Sequence, residues 1–304
     1  MRQDVSFTSK GVTCRGWLYT PDGLGRGERA PAIVMAHGFS GVKELDLPRF
    51  AEPFAAAGFV VLVFDYRFLG ESDGEPRSQV LFHVQQEDYR NAITWLAQQP
   101  MVDAERIGAW GTSYSGGHVL YLAAFDRRIK AAVAQAPAIG TWRSIVAQSG
   151  VDALRMMLSL TVADRQARYP GEEPHYMPVV APPGEAAVLG TADAYEWFVA
   201  GGADLAPAWR NEVTIESVEQ LIEYDPAASI ELIAPTPLLL VAAENDTLIP
   251  VSTVRDAFAR AGEPKALKVV PCGHFDIYHD EPFHSDVLAA ELDWFRTHLT
   301  TPTT

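Results

Sequence analysis

Cysteine is almost missing from this chain. Its 304 residues include two, Cys14 and Cys272, far apart and in neither metal-ligand nor redox spacing. That excludes a disulfide framework and reads as isolated thiols of a reducing compartment. Positive charge is also scarce: 24 Lys and Arg stand against 39 Asp and Glu, for a formal net charge of -15. Such a surface repels phosphate backbones and anionic bilayers, so nucleic acid is not expected as a partner. The opening MRQDVSFTSK lacks the apolar core of a signal peptide. No run reaches the roughly 18 uninterrupted apolar residues that span a bilayer, so a cytoplasmic location without a membrane partner is the expectation. No His/Cys/Asp/Glu cluster has metal-ligand spacing, and no metal or cofactor is expected.

What is present is a core-forming composition, 48% apolar and 21% charged, the usual mix of a globular protein. Strand-like and helix-like segments alternate as in a mostly parallel sheet covered by helices. Val5 to Thr8 and Thr13 to Thr20 read as an antiparallel edge pair. Buried strands are expected at Ala32–Ala36, Val60–Phe64, Arg106–Trp110, Ile129–Gln135, Pro237–Ala243 and Ala266–Val270. Helices are expected around Phe50 to Ala57, Val84 to Gln99, His118 to Phe125 and Val254 to Ala261, with a closing helix carrying Leu288, Leu292 and Phe295. Beyond Pro137 the alternation stops for about a hundred residues. The expectation is therefore one α/β core, residues 1–140 and 230–304, with a largely helical cap, 141–229, inserted into it.

The chemistry concentrates at three strand ends. Gly111-Thr-Ser-Tyr-Ser-Gly-Gly117 is a tight strand-to-helix turn that would expose the Ser113 hydroxyl. Small residues are needed two before and two after it; Gly111 meets the first need and Ser115, in place of the usual Gly, the second. A serine hydroxyl needs a base, and the base needs an orienting group. His274 follows the strand ending at Val270, and Asp246 follows the one ending at Ala243, in the chain order serine, acid, histidine. Glu244, nearer the strand end, is the alternative acid. His279, His284 and His298 lie in or before the last helix and are surface or packing residues. The backbone N–H groups of Tyr114 and of Phe39, in His37-Gly-Phe-Ser-Gly41, are candidates for an oxyanion hole. His37 is expected to be structural.

Ala36–Glu44, Phe64–Arg77, Gly111–Gly117 and the loops of Asp246 and His274 together resemble the α/β-hydrolase superfamily. They are most similar to its branch of dienelactone-hydrolase-like, prolyl-dipeptidyl-peptidase-like and bacterial esterase enzymes. Residues 1 to 140 and 230 to 304 carry the resemblance. It departs at Arg67-Phe-Leu-Gly70, where Arg-Gly-Phe-Gly is usual, and at Ser115. The resemblance implies a serine hydrolase with Ser113, Asp246 and His274 as its triad. Carboxylic ester cleavage leads; another acyl bond (amide, thioester or C–C), acyl transfer, or a catalytically silent binding protein are the alternatives. The insert supplies Trp142, Met156, Met157, Tyr176, Trp197 and Trp209, of which Trp142, Met156, Tyr176, Trp197 and Trp209 are candidate substrate contacts. A small-molecule substrate with an apolar moiety is expected, and a homodimer is left open.

Overall fold

The computed structural model describes residues 1–202 and 205–300. Among them, eight strands form one sheet in the order β1-β2-β4-β3-β5-β6-β9-β10. β1 (Arg2–Ser9) and β2 (Val12–Tyr19) pair antiparallel at one edge, and β2 meets β4 (Val60–Phe64) antiparallel. From β4 onward every pairing is parallel, through β3 (Ala30–Ala36), β5 (Val102–Thr112), β6 (Ile129–Gln135), β9 (Leu238–Ala243) and β10 (Lys265–Val270). β3, β4 and β9 are buried at every position, the continuous apolar runs that a parallel sheet covered on both faces requires.

Helices flank this sheet. α1 (Pro48–Ala56) and α9 (Phe283–Phe295) meet through Phe54 and Phe295, 5.6 Å apart edge to face. α2 (Phe82–Ala97) and α3 (Tyr114–Phe125) pack beside each other, and α7 (Val251–Arg260) lies on β9. α3 begins immediately after Ser113, four residues earlier than Gly116 and Gly117 suggest from sequence, because the turn is over once Ser113 is placed. β5 likewise starts at Val102 rather than Arg106.

Between β6 and β9 the chain leaves the main sheet. α4 (Thr141–Arg168) kinks at Gly150, φ 82°. After it come β7 (Tyr176–Met177), α5 (Ala192–Tyr195), a π-helical turn at Glu196–Gly202, β8 (Val213–Thr214) and α6 (Ile215–Glu223). β7 pairs antiparallel with β8, and α4 packs on α6 with an Arg165–Glu219 ion pair at its rim. A 3-10 turn, Pro226–Leu232, returns the chain to β9. By length and composition α4 is long and apolar enough to cross a membrane, although polar residues interrupt its apolar ones. α8 (Asp276–His279) and α9 follow β10, and a π-helical turn, Arg296–Thr300, comes after α9.

One core charge has a cost. Glu291 on α9 is fully buried; its Oε2 accepts from Trp110 Nε1 at 2.9 Å, while its Oε1 has no partner among the described residues. Burial pushes its carboxyl up to about 8, against an ordinary glutamate near ~4.3. The folded state therefore holds a proton that the unfolded chain releases, so this contribution to stability is complete below the ordinary value and is lost as pH rises to about 8. Glu291→Gln keeps an acceptor for Trp110 and removes the titration. Urea midpoints at pH 5, 7 and 8.5 should show the variant gaining on wild type with rising pH, by on the order of a few kcal/mol at the alkaline end. Parallel pH dependences would show that Glu291 is already ionised in the fold.

Candidate active site

Four parallel strands deliver their loops to the same edge of the sheet. β5 ends at Thr112, β3 at Ala36, β9 at Ala243 and β10 at Val270, and the residues just beyond each converge. Crevices outside the carboxyl ends of parallel strands are where this kind of sheet binds ligands.

Ser113 sits at φ 53°, ψ -117°, in the region that a residue with a Cβ enters only under constraint. Its N–H donates to Gln135 O at 2.8 Å, and its carbonyl accepts from Gly117 N at 3.1 Å and Ala138 N at 2.9 Å. Gly111 is obligatory, since a Cβ there would run into the Ser115 carbonyl. Ser115 is fully buried, and its Oγ pairs with Tyr66 Oη at 2.7 Å. The departure from the usual glycine is thus absorbed by a hydrogen bond below the turn. Gly38 passes so close that a Cβ on it would lie 2.9 Å from the Ser113 Cβ.

His274 Nε2 lies 3.2 Å from Ser113 Oγ, and His274 Nδ1 lies 2.7 Å from Asp246 Oδ2. The other Asp246 oxygen accepts from Leu248 N at 2.8 Å and Ile249 N at 2.7 Å, so the carboxylate is fixed from its own loop. Both side chains are nearly inaccessible, 1% and 2% exposed. Glu244 instead points outward to an Arg255 ion pair. Asp276 accepts the Gly273 N–H at 2.7 Å and shapes the turn before the histidine. His279 pairs with Asp46, His284 reaches Ile277 O and His298 packs on Trp294. Burial pushes the Cys272 thiol up to about 12, so it stays protonated.

The N–H groups of Phe39 and Tyr114 donate to nothing within the described residues, and both residues border the cleft beside Ser113. Their rings brace each other edge to face at 5.5 Å. His37 Nδ1 contacts Gly38 O at 3.0 Å, and burial lowers its pKa to about 4, leaving a neutral ring that supports the loop.

The loop of Phe39 is moored by Lys43, which sequence reading missed. Lys43 is completely buried; its Nζ donates to Asp65, Glu44 and Glu71 at 2.7–2.9 Å, and its N–H reaches Asp65 at 2.7 Å. Burial alone would strip the ammonium of its proton, but the Asp65 carboxylate reverses that and raises the pKa above its ordinary value. The three carboxylates lie close enough to hold a cation, and the ammonium already sits among them. A second buried network ties α2 and α3 to the insertion: His118 Nδ1 and Gln86 Nε2 both reach Tyr224 Oη, at 3.0 and 2.9 Å, and His118 Nε2 meets Gln85. Burial lowers His118 to about 3, so it is neutral.

Of the aromatic and sulfur side chains expected to contact substrate, Trp197 lines the cleft. Trp209 is turned aside, stacked on Phe198 with Nε1 donating to Ser40 O at 3.0 Å. Trp142 lies under the Arg143 guanidinium on the outside, and Tyr176 sits half-exposed in β7. Met156 is 71% exposed, and its neighbour Met157 lines the cleft instead, because one helical step of about 100° exchanges faces.

A family model described as X-Pro dipeptidyl-peptidase (S15 family) matches residues 10–276. The chain belongs to that S15 family. Among its relatives, the quorum-quenching protein AidA of Acinetobacter baumannii (strain MDR-ZJ06) is 33% identical over 296 residues, 96% of this chain and 94% of AidA. The thiohydrolase aneE of Aspergillus aculeatus is 33% identical over 300 residues, 95% of this chain and 89% of aneE. The polyketide transferase grgF of Penicillium sp is 32% identical over 301 residues, covering 98% and 97%. The crystal structure of the alpha/beta hydrolase GrgF superposes with a TM-score of 0.85 at 30% identity, covering 99% of this chain and 100% of that one. This S15 member therefore has the α/β-hydrolase fold, and its family and relatives support a hydrolytic or acyl-transfer enzyme.

Lys43→Met leaves Asp65 buried without its cation. Urea unfolding should show a loss of about 3–5 kcal/mol, the usual cost of removing one partner of a buried pair. A loss below about 1 kcal/mol would mean that the carboxylates take up protons instead of relying on Lys43.

Proposed function

We propose that this chain is a serine hydrolase that cleaves a carboxylic ester through an acyl-enzyme formed on Ser113. The observation that carries the reading is the pair of hydrogen bonds, 3.2 Å from Ser113 to His274 and 2.7 Å on to Asp246, beside two uncommitted backbone N–H groups. His274 Nε2 takes the hydroxyl proton as Oγ bonds to the carbonyl carbon, and Asp246 holds the ring and stabilises the imidazolium that forms. The Phe39 and Tyr114 N–H groups receive the oxyanion. As the tetrahedral intermediate collapses, the bond to the leaving oxygen breaks and His274 returns its proton to that oxygen. Water then attacks the acyl-serine by the same route, regenerating the hydroxyl and releasing the acid.

An ester is favoured over the peptide in the family description by the walls of the cleft. An N-terminal dipeptide presents an ammonium that needs a carboxylate, and no carboxylate lines either part of the cleft among the described residues. Thioester cleavage or acyl transfer is the second reading, since relatives that match almost the whole chain are a thiohydrolase and a polyketide transferase. The same acyl-serine serves all three, and the leaving atom and the acceptor tell them apart.

Ser113→Ala should lose roughly 10⁴- to 10⁶-fold in kcat on p-nitrophenyl esters while its circular dichroism stays native. Wild-type turnover in that variant would remove Ser113 from the chemistry. Asp246→Asn should cost about 10⁴-fold, because the amide sets the wrong histidine tautomer. Glu244→Gln should stay near wild type, and the opposite ranking would give the orienting role to Glu244. Since the base must be neutral to accept a proton, kcat/KM should fall toward acid pH. A His274→Ala variant that retained the wild-type acidic limb at comparable rate would assign the base elsewhere.

A further inference from the structure

Ser113 stands where two branches of the cleft meet. The shorter, about 40 Å³, is walled by Leu45, Leu47, Trp197, Phe275 and Tyr278 and has His274 in its side. The longer, about 220 Å³, follows the inner face of α4 past Ile145, Ala153 and Met157 to Leu221, and His274 takes no part in it. A leaving group has to receive its proton from His274 Nε2 as its bond to the acyl carbon breaks. It therefore departs on the side of the short branch, and the acyl chain is left with the long one.

The branches also differ in how their hydroxyls are used. In the short branch the Thr112 and Tyr278 hydroxyls bond each other at 2.6 Å, and Trp197 Nε1 is spent on Asp46. Five residues that line the long branch, Tyr114, Thr141, Ser144, Ser149 and Thr191, carry hydroxyls that make no hydrogen bond within the described residues. Ser144 is 5% exposed, and the Tyr114 and Thr191 oxygens are buried without a partner. Gln148 adds an amide oxygen, its Nε2 being held by Leu248 O at 3.1 Å. Polar groups left unpaired along an otherwise apolar slot are the fixed points by which a site orients a ligand.

From these two contrasts we propose that the long branch is an acyl-chain subsite for an extended chain bearing hydroxyl or keto groups, and that Ser144 and Thr191 receive those oxygens. The proposal rests on Ser113 being the nucleophile. A site built to pair a substrate oxygen discriminates strongly against the analogue that lacks it.

The test compares kcat/KM for the p-nitrophenyl esters of acetate, octanoate and a set of mono-hydroxyoctanoates. Wild type should prefer at least one hydroxyoctanoate to octanoate by about tenfold or more, and Ser144→Ala or Thr191→Val should narrow that preference. Ala153→Trp, which fills the long branch, should lower the octanoate-to-acetate ratio by at least about tenfold. Ala153→Leu should act in the same direction to a smaller extent and covers the case in which the larger residue fails to fold. An unchanged octanoate-to-acetate ratio in a folded Ala153 variant would overturn the placement of the acyl chain. Equal wild-type rates for octanoate and every hydroxyoctanoate would overturn the oxygenated class. Labelling by an alkyl fluorophosphonate separates these outcomes from a failure of the nucleophile: a chain that is neither labelled at Ser113 nor active on the acetate ester would take the triad reading and the subsite down together.

Discussion

Ser113 is held at φ 53° and ψ -117°, a conformation that persists only when the surroundings over-determine it. Here they do so from three sides. β6 supplies the Gln135 carbonyl for its N–H, the start of the next loop supplies the Ala138 N–H for its carbonyl, and Gly111 leaves room for the turn to close over Ser115. The consequence is geometric: α3 must begin at the very next residue, so the Tyr114 N–H stands uncommitted at a helix start beside the hydroxyl. One backbone constraint thus positions both the Ser113 hydroxyl and an uncommitted N–H donor beside it.

The facing wall has a left-handed residue of its own, Ser40 at φ 53°, and is also organised by charge. The Gly38–Phe39 segment passes within van der Waals reach of Ser113, a proximity that a loose loop would not keep. It is kept because Lys43, six residues beyond His37, is anchored to Asp65 at the end of β4 through both its N–H and its ammonium. The strand that sets Asp65 is fully buried, so the anchor point belongs to the core. An arrangement of this kind adds little net stability over an apolar packing of the same volume; what it adds is a fixed position for the loop.

The sheet was legible because its signals are redundant. Continuous apolar runs for buried parallel strands, helical periodicity between them and small residues at Gly111 and Gly38 all point to the same architecture, and the structure keeps those strands within a few residues. The convergence of Ser113, Asp246 and His274 was foreseeable for a related reason: they lie one, three and four residues beyond the ends of their strands, and parallel strands deliver such positions to one edge. Lys43 was not readable. Its sequence neighbours say only that a lysine precedes a glutamate, and its burial depends on Asp65 and Glu71, brought in by a different strand. His118 and Tyr224, 106 positions apart, are joined by a hydrogen bond of the same long-range kind.

Residue type was least informative in the insertion between β6 and β9. Large aromatic side chains lower the free energy wherever they find apolar contact, so composition alone does not say whether Trp209 meets Phe198 or a ligand. α4 makes the difficulty concrete, since its apolar residues do not fall on one side only. Its residues Ile145, Ala153 and Met157 border the cleft, while Val151, Met156, Leu160 and Val162 are exposed. No clear hydrophobic period separates the two sets, because apolar and polar residues are mixed around α4 and the helix is broken at Gly150. The inner face is chosen by the helix's partners instead: α6, through the Arg165–Glu219 and Arg168–Glu216 pairs, and the Leu248 carbonyl, through Gln148. The polar residues that interrupt α4 therefore carry the orientation that its apolar residues cannot, and they do so by reaching groups on segments far away in the chain.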